Sequence, residues 1–285
     1  LILGHCLQNV RCQAPKNVGG SVIRQSTSNE GFFVGIFSPI NPATDFQQGT
    51  ITMNYVITPP ALPTVAVAAS DSLFPVNRVY CVGRNYAAHA IEMGHDPNRE
   101  EPFFFKKAPD NLLPASESDG GGTFPYPPKT HDVHHEIELV TALSKGGTNI
   151  PVDTAMDCVW GFGVGIDMTR RDLQGEAKKA GRPWDTGKAF DNAAPMGCLH
   201  PIAQTGNMES GRIWLKVNGK VRQEGDLNQL IWKIPEIISY LSGLFTLRPC
   251  DLIFTGTPSG VGPITAGDIL VGGIDGLSGI KVTVD

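Results

Sequence analysis

The sequence predicts a β-rich α+β domain rather than a doubly wound sheet, and three observations carry that prediction. From Leu73 onward, short apolar or alternating runs outnumber the helical stretches. Gly 33 and Pro 22 in 285 residues are above average use and favour many turns. Asn218-Gly219 stands between two alternating runs and is the best hairpin signal in the chain.

The elements follow in order. The first methionine is Met53, and residues 1–52 are rich in Gly, Asn, Ser and Gln with weak periodicity. They are expected to form a poorly ordered extension, lacking a basic cluster followed by an apolar stretch. Residues 53–72 look like an extended arm, because Pro59, Pro60 and Pro63 exclude helix. Residues 73–285 form the expected catalytic domain. Val79 to Gly83 is a strand, Asn85 to Met93 a helix, and Phe103 to Lys106 a short apolar strand. Residues 114–130 are a Gly/Pro-rich loop. Ile137 to Leu143 is a strand, Thr154 to Cys158 a short helix, and Gly161 to Ile166 a glycine-rich strand. Thr169 to Ala180 is a polar helix closed by Gly181 and Pro183. Arg212 to Val217 and Lys220 to Gln223 flank the hairpin turn, and Ile234 to Leu241 is an amphipathic helix. Asp251 to Gly256 is a buried strand, with late strands at Gly267 to Leu270 and Ile280 to Val284.

Composition narrows the function. A net charge of -5 gives no reason to expect nucleic acid or an anionic membrane surface. No apolar run approaches the roughly 18–20 residues of a spanning helix. The six cysteines include no Cys-x-x-Cys pair and read as free thiols of a cytoplasmic protein.

The most informative residues are acidic. Glu136 and Glu138 are two apart, so on one strand they aim at one point, and Asp167 follows a second predicted strand. Oxygen ligands suit a hard divalent cation. The alternative is a solvated strand face, with Asp167 capping the next helix. Apolar neighbours weigh against it, because carboxylates there need a partner. His134 shares the predicted face, and spacing leaves open whether it is a ligand or a neighbour. Upstream, His89 and Glu92 are i and i+3 on a predicted helix. They are either a surface pair or a carboxylate-oriented, water-activating base. Arg171 and Gln174 share a helix face, and both donate hydrogen bonds. Lys188 stands among small and apolar residues, as a packed stem or as a cation held for an oxyanion. Thr255 to Pro263 can form a tight loop in which backbone N–H groups and Thr257 receive a substrate carboxylate. It lacks the phosphate-loop spacing, and Gly161-Phe-Gly-Val-Gly lacks the dinucleotide spacing.

Five motifs in order carry a resemblance: Gly83-Arg-Asn-Tyr-Ala-x-His, His134-His-Glu-Ile-Glu-Leu, Asp167-x-Thr-x-Arg-Asp-x-Gln, Trp214-Leu-Lys-Val-Asn-Gly and Thr255-Gly-Thr-Pro-x-Gly-Val-Gly. From about Phe74 to its end the chain resembles the fumarylacetoacetate hydrolase family. Gly94 to Glu100 and Pro102-Phe-Phe-Phe are most similar to members that cleave fumarylpyruvate in bacterial gentisate breakdown.

The resemblance implies a mixed β-roll, a homodimer, and Glu136, Glu138 and Asp167 as ligands of Mg²⁺ or Mn²⁺. An all-oxygen site also accepts Ca²⁺. It implies His89 and Glu92 as a catalytic pair on a lid, with Gln174 and Lys188 near the reacting carbonyl. Arg84, Lys188 and Thr257 would contact the pyruvate-like end, and Arg171 joins the expected substrate-binding residues. The implied reaction is hydrolysis of a 2,4-dioxo acid, 3-fumarylpyruvate, to fumarate and pyruvate. The alternatives are oxaloacetate decarboxylation, a broader acylpyruvase, and a non-catalytic metal-binding protein. One departure is visible: similar members read Lys-Pro after the Phe-rich strand, where this chain reads Lys106-Lys107-Ala108-Pro109.

Overall fold

Ile137–Leu143 is apolar except for Glu138 and Thr141, and all seven of its residues are buried. A strand buried on both faces must lie inside a sheet. In the computed structural model, which describes residues 55–87 and 100–285, it is the central strand of a seven-stranded mixed sheet. The order across that sheet is Phe103–Lys107, Arg78–Gly83, Asp251–Phe254, Ile137–Leu143, Val159–Ile166, Ala194–Pro201 and Leu112–Pro114. The pairs Asp251–Phe254 with Arg78–Gly83 and Ala194–Pro201 with Leu112–Pro114 are parallel, and the rest are antiparallel.

A five-stranded sheet orders Lys220–Asp226, Arg212–Val217, Ile269–Ile274, Ile280–Val284 and Gly122–Phe124. The predicted hairpin opens it: Asn218 at φ 50° and Gly219 at φ 76° make the two-residue turn. A three-stranded sheet holds Thr169–Arg170, Val133–His135 and Gly262–Ile264. In the arm region Thr64–Ala66 pairs with Leu73–Pro75. Helices are few. Ile234–Leu244 buries Ile237, Ile238 and Leu241 in the main apolar cluster, with Tyr80, Phe162 and Ile213. Residues Ile57–Asp285 form one compact unit, and the β-rich α+β class expected from the sequence is the one that forms.

Three expectations change. The helix expected over Thr169 to Ala180 begins at Arg171, because Thr169 and Arg170 pair with His134 and Val133 as a short strand. The expected loop over 114–130 contains the strand Gly122–Phe124, which pairs in parallel with Ile280–Val284 and buries Phe124 completely. Its Gly-rich texture hides three residues whose partner lies at the far end of the chain. Residues 133–138 are not one strand: Val133–His135 and Ile137–Leu143 belong to different sheets, and the chain passes between them at Glu136. The extension expected over residues 1–52 and most of the helix expected over Asn85 to Met93 lie outside the described residues.

Val159–Ile166 stays slim because of its glycines, and it is paired on both sides. A Cβ on Gly161 would stand 2.0 Å from the main-chain oxygen of His200, in the neighbouring strand. Gly161→Ala is therefore expected to destabilise the fold by about 1–3 kcal/mol, a fall of roughly 2–12 °C in Tm. Thermal unfolding checks this, and an unchanged Tm would contradict the packing described.

Candidate active site

The turn at Glu136 gathers the acidic residues. Glu136, Glu138 and Asp167 are 5%, 2% and 0% exposed, and one oxygen from each lies within 4.8 Å of the others. Main-chain contacts hold this geometry. The Asp167 N–H donates to the Glu136 carbonyl at 2.8 Å, and the Gly256 N–H donates to Glu138 Oε2 at 2.7 Å. Gly165 stands directly across from Glu138 in the sheet, and the space its missing Cβ leaves is taken by the Phe254 ring and Val140. Asp167 precedes the helix by four positions and is not its cap, which is Arg170.

Three buried or half-buried cations face these carboxylates. Lys188, at the end of the short helix Asp185–Lys188, donates to Glu136 Oε2 at 2.8 Å, Asp167 Oδ2 at 2.6 Å and Thr169 Oγ1 at 2.7 Å. Burial alone would lower its pKa, but Asp167 and Glu136 outweigh it and raise the pKa, so the ammonium stays charged. Arg171 donates to Glu136 Oε1, and through Nη1 to Gln174 Oε1 at 2.8 Å. Lys107 Nζ lies 2.8 Å from Asp167 Oδ1 and donates to the carbonyls of Met168, at 3.0 Å, and of Lys188. The three cations thus meet Glu136 and Asp167, while Glu138 accepts only from the Gly256 N–H among these contacts. Burial first, then Asp167 and Glu136, push the Glu138 carboxyl well above the usual range.

The donor set fits a hard divalent cation. It is all oxygen, it converges, and fully buried Asp167 Oδ1 makes no hydrogen bond of good geometry despite Lys107 nearby. His134 is a neighbour. Its Nε2–H donates to Asp132 at 2.8 Å, and its Nδ1 accepts from Arg171 at 3.4 Å. Burial and then Arg171 lower its pKa.

A cavity of about 260 Å³ opens beside the cluster, lined by the three carboxylates together with Gln174, Trp184 and Thr257. Gln174 gives its carbonyl to Arg171, which leaves its NH₂ to donate. Thr257 lines the cavity, and its hydroxyl is engaged within the protein. Its hydroxyl donates to the Ile137 carbonyl at 2.8 Å and accepts from Gln223 Nε2 at 2.8 Å. Together with Gly256, it holds the ligand strand in place. Arg84 also lines the cavity, with its guanidinium 4.9 Å above the Phe103 ring. His89 and Glu92 lie outside the described residues.

Sequence reasoning missed Lys107, Gln223 and His135. Lys107 had a signal: Phe103, Phe105 and Lys107 alternate onto one face of their strand. The change from Lys-Pro to Lys107-Ala108-Pro109 leaves this lysine on Asp167, and Pro109 opens a 3₁₀ turn beyond it. Gln223, fully buried, accepts from His135 Nδ1 at 2.8 Å and from the Ile137 N–H at 3.1 Å. Its amide donates to Thr257 and to the Pro258 carbonyl, so one side chain ties the ligand strand to the loop.

Thr257→Val removes a buried donor and acceptor from this network. It is expected to cost about 1–3 kcal/mol in chemical denaturation, while Thr257→Ser stays near wild type. Wild-type stability of the valine variant would contradict the anchoring role.

Known proteins resemble this chain over most of its length. The model of the fumarylacetoacetate (FAA) hydrolase C-terminal domain matches residues 78–285. The chain is similar to the crystal structure of fumarylpyruvate hydrolase from Pseudomonas aeruginosa in complex with Mn²⁺ and pyruvate, at 51% identity and a TM-score of 0.78, covering 81% of this chain and 99% of that one. It is 42% identical over 189 residues to the fumarylpyruvate hydrolase of a Ralstonia species, covering 66% of this chain and 95% of the relative. It is 39% identical over 220 residues to the mitochondrial oxaloacetate tautomerase FAHD2 of Oryza sativa subsp. japonica, covering 77% and 96%. The chain belongs to the fumarylacetoacetate hydrolase family.

Proposed function

We propose that this chain is a metal-dependent hydrolase that cleaves a C–C bond in a 2,4-dioxo acid, with 3-fumarylpyruvate giving fumarate and pyruvate. The convergence of Glu136, Glu138 and Asp167 beside a cavity, opposed by Lys188, carries this reading. The similarity to an enzyme that holds Mn²⁺ and pyruvate supports it.

Glu136, Glu138 and Asp167 would hold the divalent ion, Mg²⁺ or Mn²⁺, which when bound supplies Lewis-acid polarisation of the dioxo end. The chain's own residues do the rest. His89, oriented by Glu92, takes a proton from water, and the hydroxide attacks the carbonyl remote from the pyruvate end. The Gln174 NH₂ is aimed by Arg171 and donates to the oxygen that becomes negative there. Lys188 adds a second donor once one of its three N–H bonds is released. One such donor is worth about 3 kcal/mol in the barrier. The bond between that carbon and the methylene then breaks, and its electron pair leaves with the pyruvate fragment as an enolate. The proton taken by His89 returns to the methylene carbon, so one water is consumed per bond cleaved. Arg171 acts here by orienting Glu136 and Gln174.

A second reading is oxaloacetate chemistry on the same site, favoured by the rice relative. It needs an enolisable substrate held at the carboxylates but no nucleophilic water. The comparison of kcat/KM for fumarylpyruvate and oxaloacetate separates the two. Among the described residues no helix is long and apolar enough to cross a membrane. A cytoplasmic homodimer is proposed with this function, and light scattering of the purified chain tests the dimer.

Glu138→Ala is expected to lose both bound Mn²⁺ and turnover, and His89→Ala to keep Mn²⁺ while kcat falls about 10²- to 10⁴-fold. Metal analysis beside steady-state kinetics checks both. Full turnover by metal-stripped Glu138→Ala would sink the metal assignment, and loss of Mn²⁺ from His89→Ala would make His89 a ligand.

A further inference from the structure

The strand Phe103–Lys107 runs along the cavity with its side chains sorted by parity. Phe104 faces away, 6.0 Å from the Tyr240 ring, and Lys106 lies over Tyr80 and Phe245. The odd residues face the site. Lys107 touches Asp167, and the Phe105 ring lies 4.8 Å from Lys188 Nζ. Phe103, two residues further from the acidic cluster, carries the Arg84 guanidinium 4.9 Å over its ring. Each step of two residues is about 7 Å along a strand. The strand is therefore a ruler, with the metal-binding carboxylates at its Lys107 end and a guanidinium at its Phe103 end.

Trp184 completes a wall along the ruler. Its ring packs edge-on to Phe103 at 5.5 Å and tilted to Phe105 at 5.9 Å. Neither Phe103 nor Trp184 belongs to the two apolar core clusters, and both line the cavity. The backbone is shaped for this arrangement. A Cβ on Gly83 would stand 2.0 Å from the Phe103 ring, and Arg84 takes φ 54°, a conformation uncommon outside glycine. The Arg84 ion pair is weak: Glu100 is 3.7 Å away and largely exposed, so a ligand carboxylate can replace it.

We infer that this ruler is the subsite for the acyl arm. The arm lies along Phe105 and Phe103 beside Trp184 and ends at Arg84, so the site selects arms that are flat and end in a carboxylate. The inference rests on the proposed acylpyruvate hydrolysis, and it moves Arg84 from the pyruvate-like end to the opposite end of the substrate. The aromatic wall favours a conjugated planar chain over a saturated one, because only the planar chain can stack along its length. The guanidinium forms charge-assisted hydrogen bonds to a terminal carboxylate and none to a methyl group.

The test uses the full chain loaded with Mn²⁺ and kcat/KM for three substrates: fumarylpyruvate, its saturated analogue succinylpyruvate, and acetylpyruvate, which has no arm. In Trp184→Leu the preference for fumarylpyruvate over succinylpyruvate is expected to fall about tenfold. In Arg84→Met the preference for fumarylpyruvate over acetylpyruvate is expected to fall roughly 10- to 100-fold, with Arg84→Lys restoring part of it. Unchanged ratios in variants that still cleave acetylpyruvate would overturn the subsite and leave the hydrolase reading intact. A wild-type protein that cleaves none of the three would overturn both.

Discussion

The structure depends on a buried cluster of six ionisable groups. Removing a carboxylate from water costs several kcal/mol unless partners replace the lost hydration. Here Lys107 from a strand edge, Arg171 from a helix start and Lys188 from a short helix meet Glu136 and Asp167, and the Gly256 N–H meets Glu138. Each element must end where its charged residue reaches the centre. The crossing of the chain between sheets at Glu136 is therefore a requirement of the site, as is the short strand at Thr169 that delays the following helix.

The charge balance also bears on function. Glu136 and Asp167 are each paired with cations, while burial and these two neighbours favour the neutral form of the Glu138 carboxyl, so the site is buried without a large net charge. A divalent ion added to such a cluster leaves it positive, and a dianionic dioxo acid restores the balance. Ion and substrate thus favour each other electrostatically beside buried carboxylates, where such interactions are screened less than in bulk water. The wall of Phe105, Phe103 and Trp184 extends that cavity away from the ions. Chemistry and selection are then divided between the two ends of one strand.

What was legible in the sequence was local. Ile137–Leu143 was readable because its run is bounded and apolar but for Glu138 and Thr141, and the Asn218-Gly219 turn because its φ angles demand those residues. The acidic trio was readable as a spacing, although a strand break rather than one continuous strand brings Glu136 and Glu138 together. Gln223 and His135 were not readable, and Lys107 only as a place on one strand face, because their partners are remote: Gln223 reaches His135 across 88 positions, and Lys107 reaches Met168 across 61. The engagement of the Thr257 hydroxyl was not readable either, because the Ile137 carbonyl that takes it lies 120 positions away.

In the proposed reaction water attacks the carbonyl remote from the pyruvate end at this buried site. Turnover of fumarylpyruvate by the Mn²⁺-loaded chain in ¹⁸O-water, with mass analysis of both products, tests it most directly. One ¹⁸O is expected in the newly formed carboxylate of fumarate and none in the carboxylate of pyruvate. Label in the pyruvate carboxylate, or consumption of substrate without labelled fumarate, would contradict it.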